Sequence, residues 1–287
     1  MKKSPVSLPV LTQGACLIDT HCHLDMDAYK DDLDTILEQA YQNHVCTVIS
    51  IGIDEKSSRQ AISLARRYPM VKATIGIHPH DVGHIHSQTL NVLADLAEKN
   101  RNHVVGYGEI GLDYAKNYAS PDVQRRHFCS QLALARDLGL PVIIHDRDAH
   151  DDILRILQQA APFPHGGVMH CFSGDMIMAS KMLDLGLLIS IPGIVTFKNA
   201  ADLQEVARLA PLSSLLLETD GPFLTPVPWR GKRNEPSFLL HTAQTVADLR
   251  GIPINEVARQ TSANAMALFG LSTDLLGGTK IVKDVKK

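Results

Sequence analysis

Eight short apolar runs, separated by amphipathic segments, constrain this chain more than any other feature. They occupy residues 16–19, 46–52, 71–77, 103–111, 141–145, 166–170, 187–193 and 214–220. Each is near-continuously apolar rather than alternating, as expected of parallel strands covered on both faces. Helical periodicity intervenes between most of them. Residues 32–43 place Leu33, Ile36, Leu37 and Ala40 on one face. Residues 124–139 do the same with Phe128, Leu132 and Ala135, ending at Gly139 before Pro141. Segments 151–160, 176–186, 200–210, 239–251 and 254–270 repeat the pattern. Right-handed crossovers of this kind give a parallel sheet, and eight units can close it into a (β/α)8 TIM barrel. An open doubly wound sheet is the alternative, but no GxGxxG follows the first run. A length of 287 residues suits one barrel. The expected division is an N-terminal extension (1–16), a single barrel domain (17–271) and a charged tail (272–287).

Lys and Arg number 28 against 31 Asp and Glu, so no basic field marks a permanent nucleic-acid partner, although a transient nucleic-acid substrate requires none. Five scattered cysteines without a CxxC argue against a disulfide framework and for a reducing compartment. The first residues, ending at Cys16, faintly suggest a lipoprotein signal. Their apolar run is short, Pro5 and Pro9 interrupt it, and Gln13, Gly14 and Ala15 fit a cleavage site poorly. The expectation is a cytoplasmic protein. No stretch approaches the roughly 18 apolar residues that would span a membrane, and no stable protein partner is legible.

The chemistry lies where the runs end. Residues 17–25 read LIDTHCHLD. Alternation along a strand turns His21 and His23 to one side and Cys22 to the other, and two imidazoles on one side are a bidentate metal grip. The same spacing at His84 and His86 follows no apolar run and serves as a control. The fourth run reaches Glu109, the fifth ends in His145, the sixth in His170, and the eighth carries Glu218 and Asp220. In a barrel these ends ring one mouth. Buried His, Glu and Asp at the ends of apolar strands need a partner, and a metal cluster supplies one.

The motifs DTHCHLD, GIHPH, GEIGLDY, PVIIHDRDAHDD, HCFSG, ETDGPFLTP, RNEP and SANAMALFG occur in this order. Together they resemble the TatD family of metal-dependent hydrolases, within the amidohydrolase superfamily, over about residues 17–271. The resemblance implies a barrel with two divalent ions per chain, whether zinc, magnesium or manganese. His21, His23, Glu109 and Asp220 would hold one ion. Glu109, His145 and His170 would hold the second, with Glu109 bridging. Some superfamily members bridge with a carboxylated lysine; the lysine nearest the fourth strand end is Lys116, so that role falls to Glu109. Asp220 would serve as the base, and with Glu109 it forms the catalytic pair. Asp146 and His150 depart from the usual pattern, which bears on substrate preference.

Around this set, His80, Arg147 and Asn234 are read as substrate contacts, with Asn234 and Glu235 in a loop after the barrel. Asp113 and Glu218 are read as acceptors that orient ligand histidines. His78 is expected near the mouth, and Cys22 and Cys171 as packing residues that point away. The expected reaction is hydrolysis of DNA phosphodiester bonds from the 3′ end. Carboxyl-ester or amide hydrolysis, such as deacylation of mischarged tRNA, is the alternative. A non-catalytic metal-dependent scaffold is the reading of another class.

Overall fold

A computed structural model describes residues 8–12, 14–116 and 118–272. Eight strands form one parallel sheet in chain order: β1 (Leu17–Cys22), β2 (Val45–Ser50), β3 (Val71–Ile75), β4 (Val104–Asp113), β5 (Val142–Arg147), β6 (Gly167–Met169), β7 (Leu188–Ile191) and β8 (Leu215–Leu217). Helices α1 (Leu33–Gln42), α2 (Glu55–Arg67), α3 (Thr89–Lys99), α4 (Pro121–Leu138), α5 (His150–Ala160), α6 (Met176–Asp184) and α7 (Ala201–Leu209) cross over between consecutive strands. Helices α8 (Leu239–Arg250) and α9 (Ile254–Phe269) follow β8. The (β/α)8 barrel read from the sequence is the fold found.

Apolar spacing sets each helix against the sheet. α4 buries Phe128, Leu132 and Ala135, as its periodicity predicts. It stops at Gly139, whose φ of +72° is a left-handed cap that a side chain would strain, and the Leu140 N–H returns to the Ala135 carbonyl at 3.0 Å. Inside the barrel, Ile18, Cys46, Ile143, Val168 and Leu216 are each the second residue of their strand and pack together with Phe269 of α9. This layer closes the floor, leaving the opposite ends of the strands for chemistry.

The ring is joined by side chains as much as by backbone. The Thr219 N–H and hydroxyl donate to the Asp19 carboxylate at 2.9 and 2.6 Å. The Asp220 N–H donates to the His21 carbonyl at 2.9 Å, and the His23 N–H to the Gly221 carbonyl at 2.8 Å. Asp19 is fully buried, and desolvation pushes its carboxyl up to about 7 despite these donors.

Two helices, α2 and α3, are not among the helical segments expected from the sequence. Of the expected extension, Leu11 and Ala15 join the core and the Thr12 N–H donates to Asn255 Oδ1 at 3.0 Å. Residues 1–7 and 13 of the extension, and all but Ser272 of the expected tail, lie outside the described residues. Among the described residues, no helix is long and apolar enough to cross a membrane.

Candidate metal centre

Glu109 stands at the middle of the mouth. It lies within β4 rather than at its end, where the register against β5 shifts between Tyr107 and Ile110. Its side chain is nearly fully buried, and its two oxygens face different partners. Oε2 lies 3.3 Å from His21 Nε2 and 3.9 Å from His23 Nε2. Oε1 lies 2.7 Å from His145 Nδ1, 3.0 Å from His170 Nε2 and 3.4 Å from His78 Nε2. Asp220 completes the first group, with Oδ1 3.4 Å from His23 Nε2 and 3.8 Å from His21 Nε2. His21, His23 and Asp220 place donor atoms within 4.8 Å of one another, as do His78, Glu109 and His145.

The electrostatics call for positive charge here. Burial drives His21 down to about 3, with His170 adding to the effect, so its imidazole is neutral and its lone pair is available to a cation. Burial also opposes the charging of His170, but Glu109 and Glu218 outweigh it and hold that imidazole well above the usual range. Glu109 is subject to the same desolvation, which His170, His78 and His145 overcome, keeping its carboxylate well below normal. Neither ring nitrogen of fully buried His21 has a hydrogen-bond partner, and His23 Nδ1 is likewise unsatisfied. Orphaned buried nitrogens beside an ionised carboxylate are costly alone and fit divalent-metal ligands.

Neighbouring carboxylates fix the imidazole orientations. Asp113 Oδ2 is 3.3 Å from His145 Nε2 and 2.8 Å from His80 Nε2, while its Oδ1 accepts the Lys116 N–H at 2.9 Å. Glu218 Oε1 is 3.2 Å from His170 Nδ1 and accepts the Cys171 N–H at 2.7 Å. Above them opens a cavity of about 650 Å³, lined among others by His80, Arg147, Asp220 and Phe223. Arg147 is exposed at the end of β5 and has no ion pair with Asp148 or Asp151. Asp146 and His150, the two departures from the family pattern, pair with one another at 2.7 Å.

Two readings change, and His78, found at the mouth as expected, gains a partner. Asn234 does not face substrate: it is fully buried, and its amide donates to the Thr219 and Phe223 carbonyls at 2.8 and 2.7 Å while its oxygen accepts the Glu235 N–H at 2.9 Å. Its place is to brace the loop after β8. Cys171 does not point away but lines the cavity, because a φ of +45° ends the strand alternation there; Cys22 does pack, against Tyr29 and Gly221. His78 is a direct neighbour of Glu109, which its position beyond β3 did not reveal. His84 and His86 are exposed in a turn. Replacing both with Ala is expected to leave metal content unchanged, whereas His21→Ala with His23→Ala should remove metal. Elemental analysis of the purified chains checks this, and equal losses would refute the strand-end argument.

The family model described as TatD related DNase matches residues 18–270. An uncharacterised metal-dependent hydrolase of Bacillus subtilis, YabD, is 38% identical over 256 residues, covering 89% of this chain and all of that protein. The protein named 3'-5' ssDNA/RNA exonuclease TatD of Erwinia amylovora is 38% identical over 261 residues, again 89% of this chain and all of the relative. The crystal structure of the Escherichia coli TatD homologue YjjV superposes with a TM-score of 0.84 at 31% identity, covering 91% of this chain and all of the other.

Proposed function

Since the chain belongs to the TatD family of metal-dependent hydrolases, we propose that it cleaves phosphodiester bonds of single-stranded nucleic acid, DNA foremost, from the 3′ end. The observation that carries this is the division of Glu109: one oxygen toward His21 and His23, the other toward His145, His170 and His78. A carboxylate so placed can serve two divalent ions. His21, His23, Asp220 and Glu109 would hold one, and Glu109, His145 and His170 the other. Mixed imidazole and carboxylate donors suit zinc, manganese or magnesium. Bound there, such ions lower the pKa of water toward neutrality and polarise phosphoryl oxygens.

The chain's own groups do the rest. Asp220 has one oxygen turned to His23 and a backbone N–H anchored on His21, and it borders the cavity. From there it takes a proton from the attacking water and passes it to the leaving oxygen. Arg147 binds a phosphate oxygen with a charge-assisted hydrogen bond. Asp113 and Glu218 hold His145 and His170 in orientation, so neither imidazole has to reorganise as charge develops.

Arg147 also separates this reading from carboxyl-ester chemistry. A phosphodiester is anionic throughout, whereas a neutral ester develops charge on one oxygen only. Hydrogen bonds to charged groups contribute about 1.5–3 kcal/mol, which corresponds to about ten- to a hundredfold in rate. Arg147→Ala is expected to lower kcat/KM by that factor on oligonucleotides or bis-p-nitrophenyl phosphate. On p-nitrophenyl acetate it should change the rate by less than about threefold, the scale of a lost exposed contact. Equal losses on both, with metal content intact, would remove Arg147 from phosphate binding. Activity on the acetate alone in the unmodified chain would move the assignment to the deacylase.

A further inference from the structure

We propose that Phe223 and Tyr118 are stacking platforms for two bases of the single-stranded substrate, one on either side of the scissile phosphate; this rests on the nuclease reading above. Among the described residues, six large hydrophobic side chains are exposed, and the two aromatic ones are Tyr118 at 63% and Phe223 at 49%. Both stand against histidines of the mouth. The Phe223 ring centroid is 6.0 Å from that of His23 at 67°, and the Tyr118 centroid 4.9 Å from that of His80 at 66°. Topology sets them opposite one another. Phe223 follows β8 and Tyr118 follows β4, and in a ring of strands ordered β1 to β8 these two are diametrically opposed. Glu109 and its imidazoles lie between.

Charge explains why bases must contribute. Among the residues lining the cavity, Arg147 is the one Arg or Lys, while Asp81 and Asp146 also border it. A protein that holds a strand by its backbone needs several such cations and shows a steep salt dependence. This mouth offers one. Aromatic faces stack any base and ignore the 2′-hydroxyl, so affinity through Phe223 and Tyr118 is tolerant of sequence and indifferent to DNA or RNA. Bases within a duplex are already stacked and paired, and cannot splay across the mouth to both rings. The preference for single strands then follows from the spacing of the two platforms.

The test uses the full chain carrying Asp220→Asn, loaded with manganese, titrated with short oligonucleotides bearing 2-aminopurine at the terminal or penultimate position. Binding should quench the fluorescence at both positions. Base stacking is worth about five- to a hundredfold in affinity per base, so Phe223→Leu or Tyr118→Leu should weaken binding by that factor and relieve the quench at one position each. Phe223→Tyr and Tyr118→Phe should restore both. Both side chains are exposed, so the leucine variants keep the fold. An abasic nucleotide at the matching position should weaken binding to the unmodified rings and make no further difference to the leucine variants. If the manganese-loaded wild-type chain degrades oligonucleotides but neither leucine change nor abasic sites alter binding, the platforms are wrong and the nuclease reading stands. If the wild-type chain neither binds nor degrades oligonucleotides with any divalent metal, both fall together.

Discussion

Glu109→Gln is expected to cost at least one metal ion per chain and to lower turnover by several orders of magnitude. The substitution keeps the shape and changes two things at once. It removes the negative charge that both groups of imidazoles face, and it puts an amide N–H where one set of nitrogens needs an acceptor. The carboxylate is buried among these imidazoles, and its loss leaves them without their shared acceptor. Removing one partner from a buried charged cluster is among the most damaging single changes, about 3–5 kcal/mol for a simple ion pair. Elemental analysis and single-turnover rates, measured on the same preparation, check the expectation. Full metal content with normal turnover would sink the bridging role.

Asp220→Asn should act differently. Asparagine retains an oxygen donor and can keep the backbone contact to His21, but it cannot accept the proton of the attacking water. Substrate binding should remain near normal while kcat falls at least about a hundredfold, the scale of a lost general base. A kcat above a tenth of the original would place the base elsewhere. Glu218 is a poor successor, since one of its oxygens is engaged by His170 and the Cys171 N–H and the residue is fully buried. His80, half-exposed in the cavity wall, is the stronger one.

The residues that the sequence made legible lie in the strands or within a few residues of their ends. His21 lies in β1 and His23 one residue past its end, close enough to the strand for both to reach the mouth, and the apolar runs map onto strands because a sheet covered on both faces must be apolar throughout. What was not legible lies where regularity stops or where burial is not apolar. α2 turns Ser57, Ser58, Ala61, Ile62 and Ala65 inward, a face of small and hydroxyl groups with one large apolar side chain. In α3, Leu93 and Ala97 are the only buried apolar residues. β3 ends at Ile75, so nothing in its alternation could aim His78 at Glu109. Cys171, at a positive φ, is turned toward the cavity against the strand rule. Asn234 sits in a loop that folds back onto Pro222 and Thr219, a path that depends on the tertiary structure.

The seam between β1 and β8 gives the site a temporal order. Cys22 and Gly221 are bridged across 199 residues of chain, and the flanking His21, His23 and Asp220 belong to the same cluster. During synthesis, Glu109, His145 and His170 all emerge before the last strand exists, whereas the other half-site has to wait for Asp220. The contact that closes the sheet and the Asp220 side of the cluster therefore arrive in one event. Closing so long a loop carries an entropic cost that local structure cannot offset. An ion held by residues from both sides of the seam would favour only the closed ring, and so would act as a clasp whose strength rises with metal concentration. With metal held there, its supply would set both catalytic competence and how tightly the two ends of the barrel stay joined.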